Sequence, residues 1–210
     1  MPSVLCIVGR SGSQAVLQGL LRELTALGVR VAAIIESSET PVSPSEAADA
    51  CVSAGSAMTL VCAPGSVTSI RRVAEEPSLD ELVWEMRDDY DLVLADGFRN
   101  SSYLKLEVAA AGEELLCHKN ELLAVAGDKP SGLDLPSFAA ADFAGMAELV
   151  RRRFLTPEPG EDAAIFVDGV RVPLAMFVRK IVASTVMGMV RPLKGVEDPK
   201  SVVVSVRRRG

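Results

Sequence analysis

Apolar residues in the first 150 positions come in short runs that alternate with helical spacings. Val4 to Val8 is a run of β-branched and small residues ending at Gly9, the pattern of a buried first strand. Leu17, Leu20, Leu21, Leu24 and Leu27 then recur at helical spacing, and Gly28 stops the helix. Val29 to Ile35 predicts a second buried strand. Pro41 and Pro44 punctuate a polar loop, after which Ser45 is placed to cap a short helix running to about Gly55. Met58 to Cys62 reads as a third strand, and Val67 to Arg87 as a helix in two pieces broken near Pro77. Asp91 to Asp96 is a fourth strand, Leu104 to Val108 and Leu122 to Ala126 are two more, and Ala139 to Arg153 is a closing helix.

Strands alternating with amphipathic helices imply an α/β fold with a mostly parallel sheet flanked by helices. Ligands in such folds bind at the carboxyl ends of the strands, so the loops after Val8, Ile35, Ala95 and Ala126 carry the functional interest. The pattern changes past residue 155. Thr156 to Asp162 is a polar linker with two prolines and a glycine. Ile165 to Val172 then sets Asp168-Gly169 between alternating residues, a strong hairpin signal. Leu174, Phe177, Val178, Ile181, Val182, Thr185, Val186 and Met189 mark one face of a helix, and Val202 to Val206 reads as a final strand. The expected division is a nucleotide-binding domain over 1–155 and a small β-β-α-β module over 163–210. Met176, Met187 and Met189, near the helix of that module, read as core filler.

Composition narrows the class. The chain has 210 residues, 49% of them hydrophobic, and a net charge of −6. No apolar run is long enough to cross a bilayer and the N-terminus lacks a secretion signal, so a cytoplasmic protein with no membrane role is expected. The charge is uneven: residues 1–150 carry 10 Lys/Arg against 22 Asp/Glu, whereas residues 151–210 carry 12 against 6. Arg151 to Arg153 and Arg207 to Arg209 form basic clusters that suit an anionic ligand, an acidic partner face, or plain solvation. Without interleaved aromatics they do not predict nucleic-acid binding. Cys6, Cys51, Cys62 and Cys117 are scattered and read as reduced and structural, Cys6 and Cys62 lying inside apolar runs. No structural metal is expected.

The chemistry begins where the first strand ends. A strand, then Gly9-Arg10-Ser11-Gly12-Ser13, then a helix is the setting of a phosphate loop. Its glycines let main-chain N–H groups face an anion, and the helix terminus adds partial positive charge. A complete loop of this type reads GxxxxGK[ST]. Counted from Gly9, the Gly, Lys and Ser/Thr positions hold Gln14, Ala15 and Val16, so the phosphate-holding ammonium and the magnesium-ligating hydroxyl are both absent. The other reading of the motif is an ordinary Gly/Ser turn opening a helix. Asp96-Gly97-Phe98 ends a buried strand, where a phosphate-loop protein holds magnesium or orients water; a turn cap is its alternative. Asp128, after the strand Leu122 to Ala126, suits the N–H groups of a guanine edge or a simple turn.

Taken together, IVGRSGS, DLVLADGFRNSSYLKLEV and LLAVAGDKPSGLDLP resemble the molybdopterin-guanine dinucleotide biosynthesis protein B (MobB) family in order and spacing, over about residues 3–153. Family members read close to VGRSGSGKTTL at the first segment. The resemblance implies a P-loop NTPase-like fold and a GTP-binding accessory protein, usually dimeric, that assists attachment of a guanine nucleotide to molybdopterin. It implies that Gly9, Arg10, Ser11, Gly12, Ser13 and Gln14 cradle phosphates, that Asp128 reads guanine, and that Asp96 stands where the family has Glu, as the catalytic or magnesium-holding carboxylate. Gly97, Phe98, Lys105 and Glu107 match family positions of unassigned role; the other reading of Lys105 and Glu107 is a charged strand edge. The family's Lys-His run after the second strand is replaced by IIESSETP, and its basic helix start by EAADACVSAG. His118, the single histidine, lies elsewhere and reads as a surface residue.

The expected function is a MobB-like adapter with GTP binding weakened or lost. It would partner a molybdopterin guanylyltransferase or a molybdoenzyme maturation protein, as a homodimer. The alternative is a slow GTPase using backbone amides, Arg10, Asp96 and magnesium.

Overall fold

The computed structural model describes residues 2–37, 45–86, 90–155, 163, 165–167, 170–172, 174–199 and 202–206. Two compact units make up the chain, Glu36–Ser78 and the remainder.

The larger unit is organised by β1, Ser3–Gly9, the third strand of a six-stranded sheet. Its order is β2 (Val31–Ile35), β5 (Leu92–Asp96), β1, β6 (Lys105–Ala109), β7 (Leu122–Gly127) and β8 (Ser137–Phe138), with every pairing parallel. Strands buried on both faces explain the near-continuous apolar runs. On one face, Leu5 and Ile7 of β1 join Leu92 and Leu94 of β5 and Leu106 of β6 beneath α1 (Ser13–Ala26) and α4 (Phe143–Val150). On the other, Val4, Cys6, Val8, Val93 and Ala95 pack with Leu79 and Val83 of α3 (Leu79–Met86).

Helix boundaries follow local chemistry. At the end of α1, Gly28 takes a left-handed φ of 80°, and its N–H and that of Val29 return to Thr25 and Leu24 carbonyls. The Asp142 side chain accepts from Gly145 N–H at the start of α4. One wider helical turn, Arg151–Leu155, extends α4. The Arg151–Arg153 cluster is largely spent locally: Arg151 and Arg152 pair with Glu148, and Arg153 lies 5.9 Å from the Phe154 ring centroid.

The smaller unit departs from expectation. Ser45 does cap α2 (Glu46–Ser53), accepting from Ala48 N–H at 3.2 Å. Residues 67–71, expected as helix, instead belong to β4 (Ser66–Arg71), antiparallel to β3 (Met58–Ala63). The sequence SVTSIR holds three β-branched residues, Val67, Thr68 and Ile70, and Gly65 takes a φ of 79° in the connecting turn, so hairpin chemistry overrides the helical reading. β3 therefore does not join the main sheet, and Cys62 is exposed rather than buried.

Beyond residue 163, β9 (Ile165–Val167) pairs antiparallel with β10 (Val170–Val172), as the hairpin signal predicted. Asp168-Gly169, the linker 156–162, Pro41, Pro44 and Arg207–Arg209 lie outside the described residues. The 15-residue helix α5 (Met176–Val190) follows, but Phe177, Val178, Ile181 and Met189 face outward and Ala183 is its buried residue. A helix apolar around most of its circumference cannot bury every side in one contact, and the inward side runs through Val182, Ala183 and Val186. Met176 and Met189 are accordingly exposed, not core filler. Residues 202–206 join no sheet, so the last strand of the expected module is not formed among the described residues: without a partner strand its backbone has no ladder to complete.

Candidate functional site

The carboxyl ends of β1, β5, β6 and β7 lie side by side, because these strands are consecutive neighbours in the sheet. The chain leaves β1 in one direction through α1 to β2, while β6 and β7 extend the sheet in the other. β1 thus ends at the crevice where open parallel sheets take ligands.

The turn after β1 is shaped by its two glycines. A Cβ at Gly9 would stand 2.9 Å from the Val108 carbonyl oxygen, so only glycine lets β1 run flush against β6 there. Gly12 is the N-cap of α1, with a left-handed φ of 79° and no side chain to satisfy the helix end. Ala15 and Val16 N–H groups return to the Gly12 carbonyl at 3.1 and 3.2 Å. Those of Ser13 and Gln14 find no acceptor among the described residues, the orphan donors of any helix start. Ser11, Gly12, Gln14 and Ala15 are exposed, so the turn is open to solvent.

Its side chains match a phosphate poorly beyond those amides. Val16, at the hydroxyl position, is buried in the core beneath α1. Ala15, at the ammonium position, points to solvent with nothing to offer an anion. Arg10 is turned away: its Nη1 donates to the Glu114 carbonyl at 2.8 Å and lies 3.8 Å from the Glu113 carboxylate. The main-chain donors are of the kind a phosphate group takes, whereas Val16, at the position of the magnesium-ligating hydroxyl, carries none. Among the described residues, no group of three or more metal-capable side chains assembles.

Asp96 ends β5 in register with Ile7 of β1 and Ile35 of β2, half-buried. The chain turns sharply there: Gly97 has a φ of 92°, Phe98 a φ of 53°, and Gly97 N–H donates to the Ile7 carbonyl at 3.0 Å. Gly97 is thereby held against β1, and Phe98 packs on the core between the sheet and α3. At the end of β7, Gly127 has a φ of 99°, and a Cβ on it would stand 2.2 Å from the Ala109 carbonyl oxygen. Asp128 N–H donates to that oxygen, and the Asp128 side chain emerges exposed at the same edge of the sheet.

Lys105 and Glu107 do not form a charged strand edge. Both lie on β6, flanked by β1 and β7, each with 1% of its surface exposed. Lys105 Nζ donates to the Ser101 carbonyl at 2.5 Å. The Glu107 carboxylate accepts from the N–H groups of Leu116 and Cys117, the latter at 3.0 Å. Arg99 donates to the Leu116 carbonyl. Burial, and then the Glu107 charge, push the Cys117 thiol up to about 11. These residues fasten the crossings 97–104 and 110–117 to the sheet. The alternation of Lys105 and Glu107 with Leu106 and Val108 puts both charges on one face, but only the strand order reveals that the face is covered. His118 is exposed, as its isolation in the sequence suggested.

Comparison with known proteins agrees with this architecture. Residues 4–128 match the family model for molybdopterin guanine dinucleotide synthesis protein B. A putative molybdopterin-guanine dinucleotide biosynthesis adapter protein of Methanocaldococcus jannaschii is 48% identical over 42 residues, a stretch covering 20% of this chain and 18% of that protein. The crystal structure of Bacillus subtilis MobB superposes with a TM-score of 0.58 at 21% identity, covering 72% of this chain and 98% of the other. That of a MobB homolog from Bacillus stearothermophilus gives 0.52 at 18% identity, covering 73% and 99%. At such identities the structural likeness speaks for the fold alone.

Proposed function

The chain belongs to the molybdopterin guanine dinucleotide synthesis protein B family, and from that premise we propose that it is an adapter in molybdopterin guanine dinucleotide biosynthesis whose grip on GTP is weak. It acts in the cytoplasm, as a homodimer, on a guanylyltransferase or a molybdoenzyme maturation partner. Residues 1–155 serve as its nucleotide-type domain and 163–210 as an appended module.

One observation carries this reading: the open turn keeps its amides while Ala15 and Val16 stand where the phosphate-holding lysine and the magnesium-ligating hydroxyl would reinforce them. A charge-assisted hydrogen bond contributes about 1.5–3 kcal/mol, so loss of the lysine alone weakens phosphate binding by about ten- to a hundredfold. Residual affinity comes from the main chain of Gly9 to Gln14, with Asp128 at the base; Asp96, at the end of β5, would act only through magnesium, since a bare carboxylate repels phosphate. The alternative, a slow GTPase recruiting Arg10, is less favoured because Ala15 and Val16 stand where the phosphate-holding lysine and the magnesium-ligating hydroxyl would be.

Titration with fluorescently labelled GTP, with and without magnesium, tests the reading. Weak binding that magnesium does not strengthen, with no turnover, is expected. A magnesium-dependent GTPase rate comparable to that of relatives with an intact loop overturns it. The double variant Gln14→Gly/Ala15→Lys changes two exposed positions and leaves buried Val16 alone. It is expected to tighten GTP binding by about ten- to a hundredfold. No gain would mean that the turn is not a phosphate site.

A further inference from the structure

The segment 110–117, between β6 and β7, is held at two places of opposite character. Its far end is fixed from within: Leu116 and Cys117 donate their N–H groups to Glu107, whose carboxylate is buried. Arg99 adds a bond to the Leu116 carbonyl. Its near end is a small turn in which Glu113 N–H donates to the Ala110 carbonyl at 3.2 Å and Ala110 N–H donates to the Glu113 carboxylate at 3.3 Å. That turn is tied to the rest of the protein through Arg10, by a bond to a neutral carbonyl and a long ion pair whose side chains are 48% and 32% exposed.

The two ends differ in how easily they let go. Breaking the Glu107 bonds strands a buried donor on Cys117, a part-buried one on Leu116 and a buried charge. The Arg10 contacts are solvated and exchange readily with water. Arg10 is also the single cation of the Gly9–Gln14 stretch. A phosphate group on the amides of that stretch offers it a doubly charged, bidentate acceptor, stronger than one carbonyl and a distant carboxylate.

We propose that the Ala110–Glu114 turn senses occupancy of the loop after β1: an anion there draws Arg10 off Glu114 and Glu113 and loosens the turn, while Glu107 keeps Leu116 and Cys117 in place. The 110–114 surface then differs between anion-free and anion-bound protein, which gives a protein partner something to read. This rests on the reading of Gly9–Gln14 as a phosphate site. Glu107 is a positioning residue in it, with no contact to the anion.

Amide hydrogen exchange on the full chain, with inorganic pyrophosphate as probe and calorimetry reporting binding separately, tests the coupling. Without probe, Arg10→Ala is expected to speed exchange at Ala110 and Glu113 by about two- to tenfold, the range for one lost hydrogen bond, with Leu116 and Cys117 unchanged. With saturating pyrophosphate, the unsubstituted protein is expected to show the same acceleration and Arg10→Ala no further change. Arg10→Lys is expected to fall between, since it keeps the charge without the fork. Binding seen by calorimetry with no change at Ala110 and Glu113 overturns the sensor but leaves the phosphate site standing. No binding at millimolar pyrophosphate overturns both. Equal acceleration at Leu116 and Cys117 also overturns it, because the segment would then be loosening as a whole.

Discussion

Gly19 of α1 lies so close under the ring of Phe143 of α4 that a Cβ on it would stand 2.3 Å from Phe143 Cδ1. The contact fixes α1 against α4, and α1 carries the candidate phosphate turn on its N-terminal end. Gly19→Ala gains about 1 kcal/mol of helix propensity but forces a clash that costs about 1–3 kcal/mol. A net destabilisation of about 1 kcal/mol is expected, read as a lower urea midpoint. A raised midpoint would show that the two helices part freely.

Glu107 is expected to matter more than any exposed acid. Glu107→Ala leaves the buried N–H of Cys117 and the part-buried N–H of Leu116 without an acceptor, a loss of about 3 kcal/mol. Glu107→Gln keeps one acceptor oxygen and should lose roughly half as much. Chemical denaturation of both variants checks the order. Equal losses would mean that the carboxylate is not the group holding the segment.

Acid sensitivity is expected at the Arg30–Asp91 clamp between the starts of β2 and β5. Arg30 Nη2 meets Asp91 Oδ1 at 2.7 Å, and Arg30 N–H donates to Oδ2 at 2.9 Å. Hydrogen bonds from the Arg30 side chain and backbone hold the Asp91 carboxyl below its usual 3.8. Its stabilising contribution is therefore complete above about pH 4 and is lost as pH falls through the lower folded value. The carboxyl is 39% exposed, so solvent screening limits the effect to about 1 kcal/mol or less. Asp91→Asn is expected to flatten the fall in stability below about pH 4. An unchanged slope would assign that fall to other carboxylates.

The four cysteines are expected to separate into two reactive and two protected thiols. Cys51 and Cys62 are exposed, while Cys6 and Cys117 are buried, the latter with its thiol pushed up to about 11. At about pH 8 a disulfide reagent should label Cys51 and Cys62 rapidly and the other two only on unfolding. Fast labelling at Cys117 would mean that the 110–117 segment opens in the native state.

Several elements were legible because one local signal sufficed. The β1–Gly9 boundary, the α1 stop at Gly28 and the Ser45 cap each depend on residues within a few positions of one another. The hairpin over 165–172 was found from Asp168-Gly169 and its alternating flanks. The helix expected from Val67 failed for a related reason: SVTSIR carries both periodicities weakly, and pairing with Met58–Ala63 decides between them. At the site, the turn Gly9–Ser13 and its missing Lys and Ser/Thr were readable. The Arg10–Glu114 bond was not, because 104 positions separate the two residues.

By itself the sequence determined the parallel-sheet architecture and the strand, Gly/Ser turn and helix over Val4–Val16 with Gln14, Ala15 and Val16 at the helix start, since each is set by spacing along a short stretch of chain. Only the tertiary structure decided that Lys105 and Glu107 are buried, that Arg10 faces the 110–117 segment, and that α5 turns Phe177 and Ile181 outward. Strand order and helix docking set those facts, and both depend on which surfaces of the folded chain are left to cover one another. A charge on a strand is an edge or a core group according to the neighbours that strand acquires, and one of the two here, β1, is distant in sequence, with Cys6 beside Lys105 and Val8 beside Glu107.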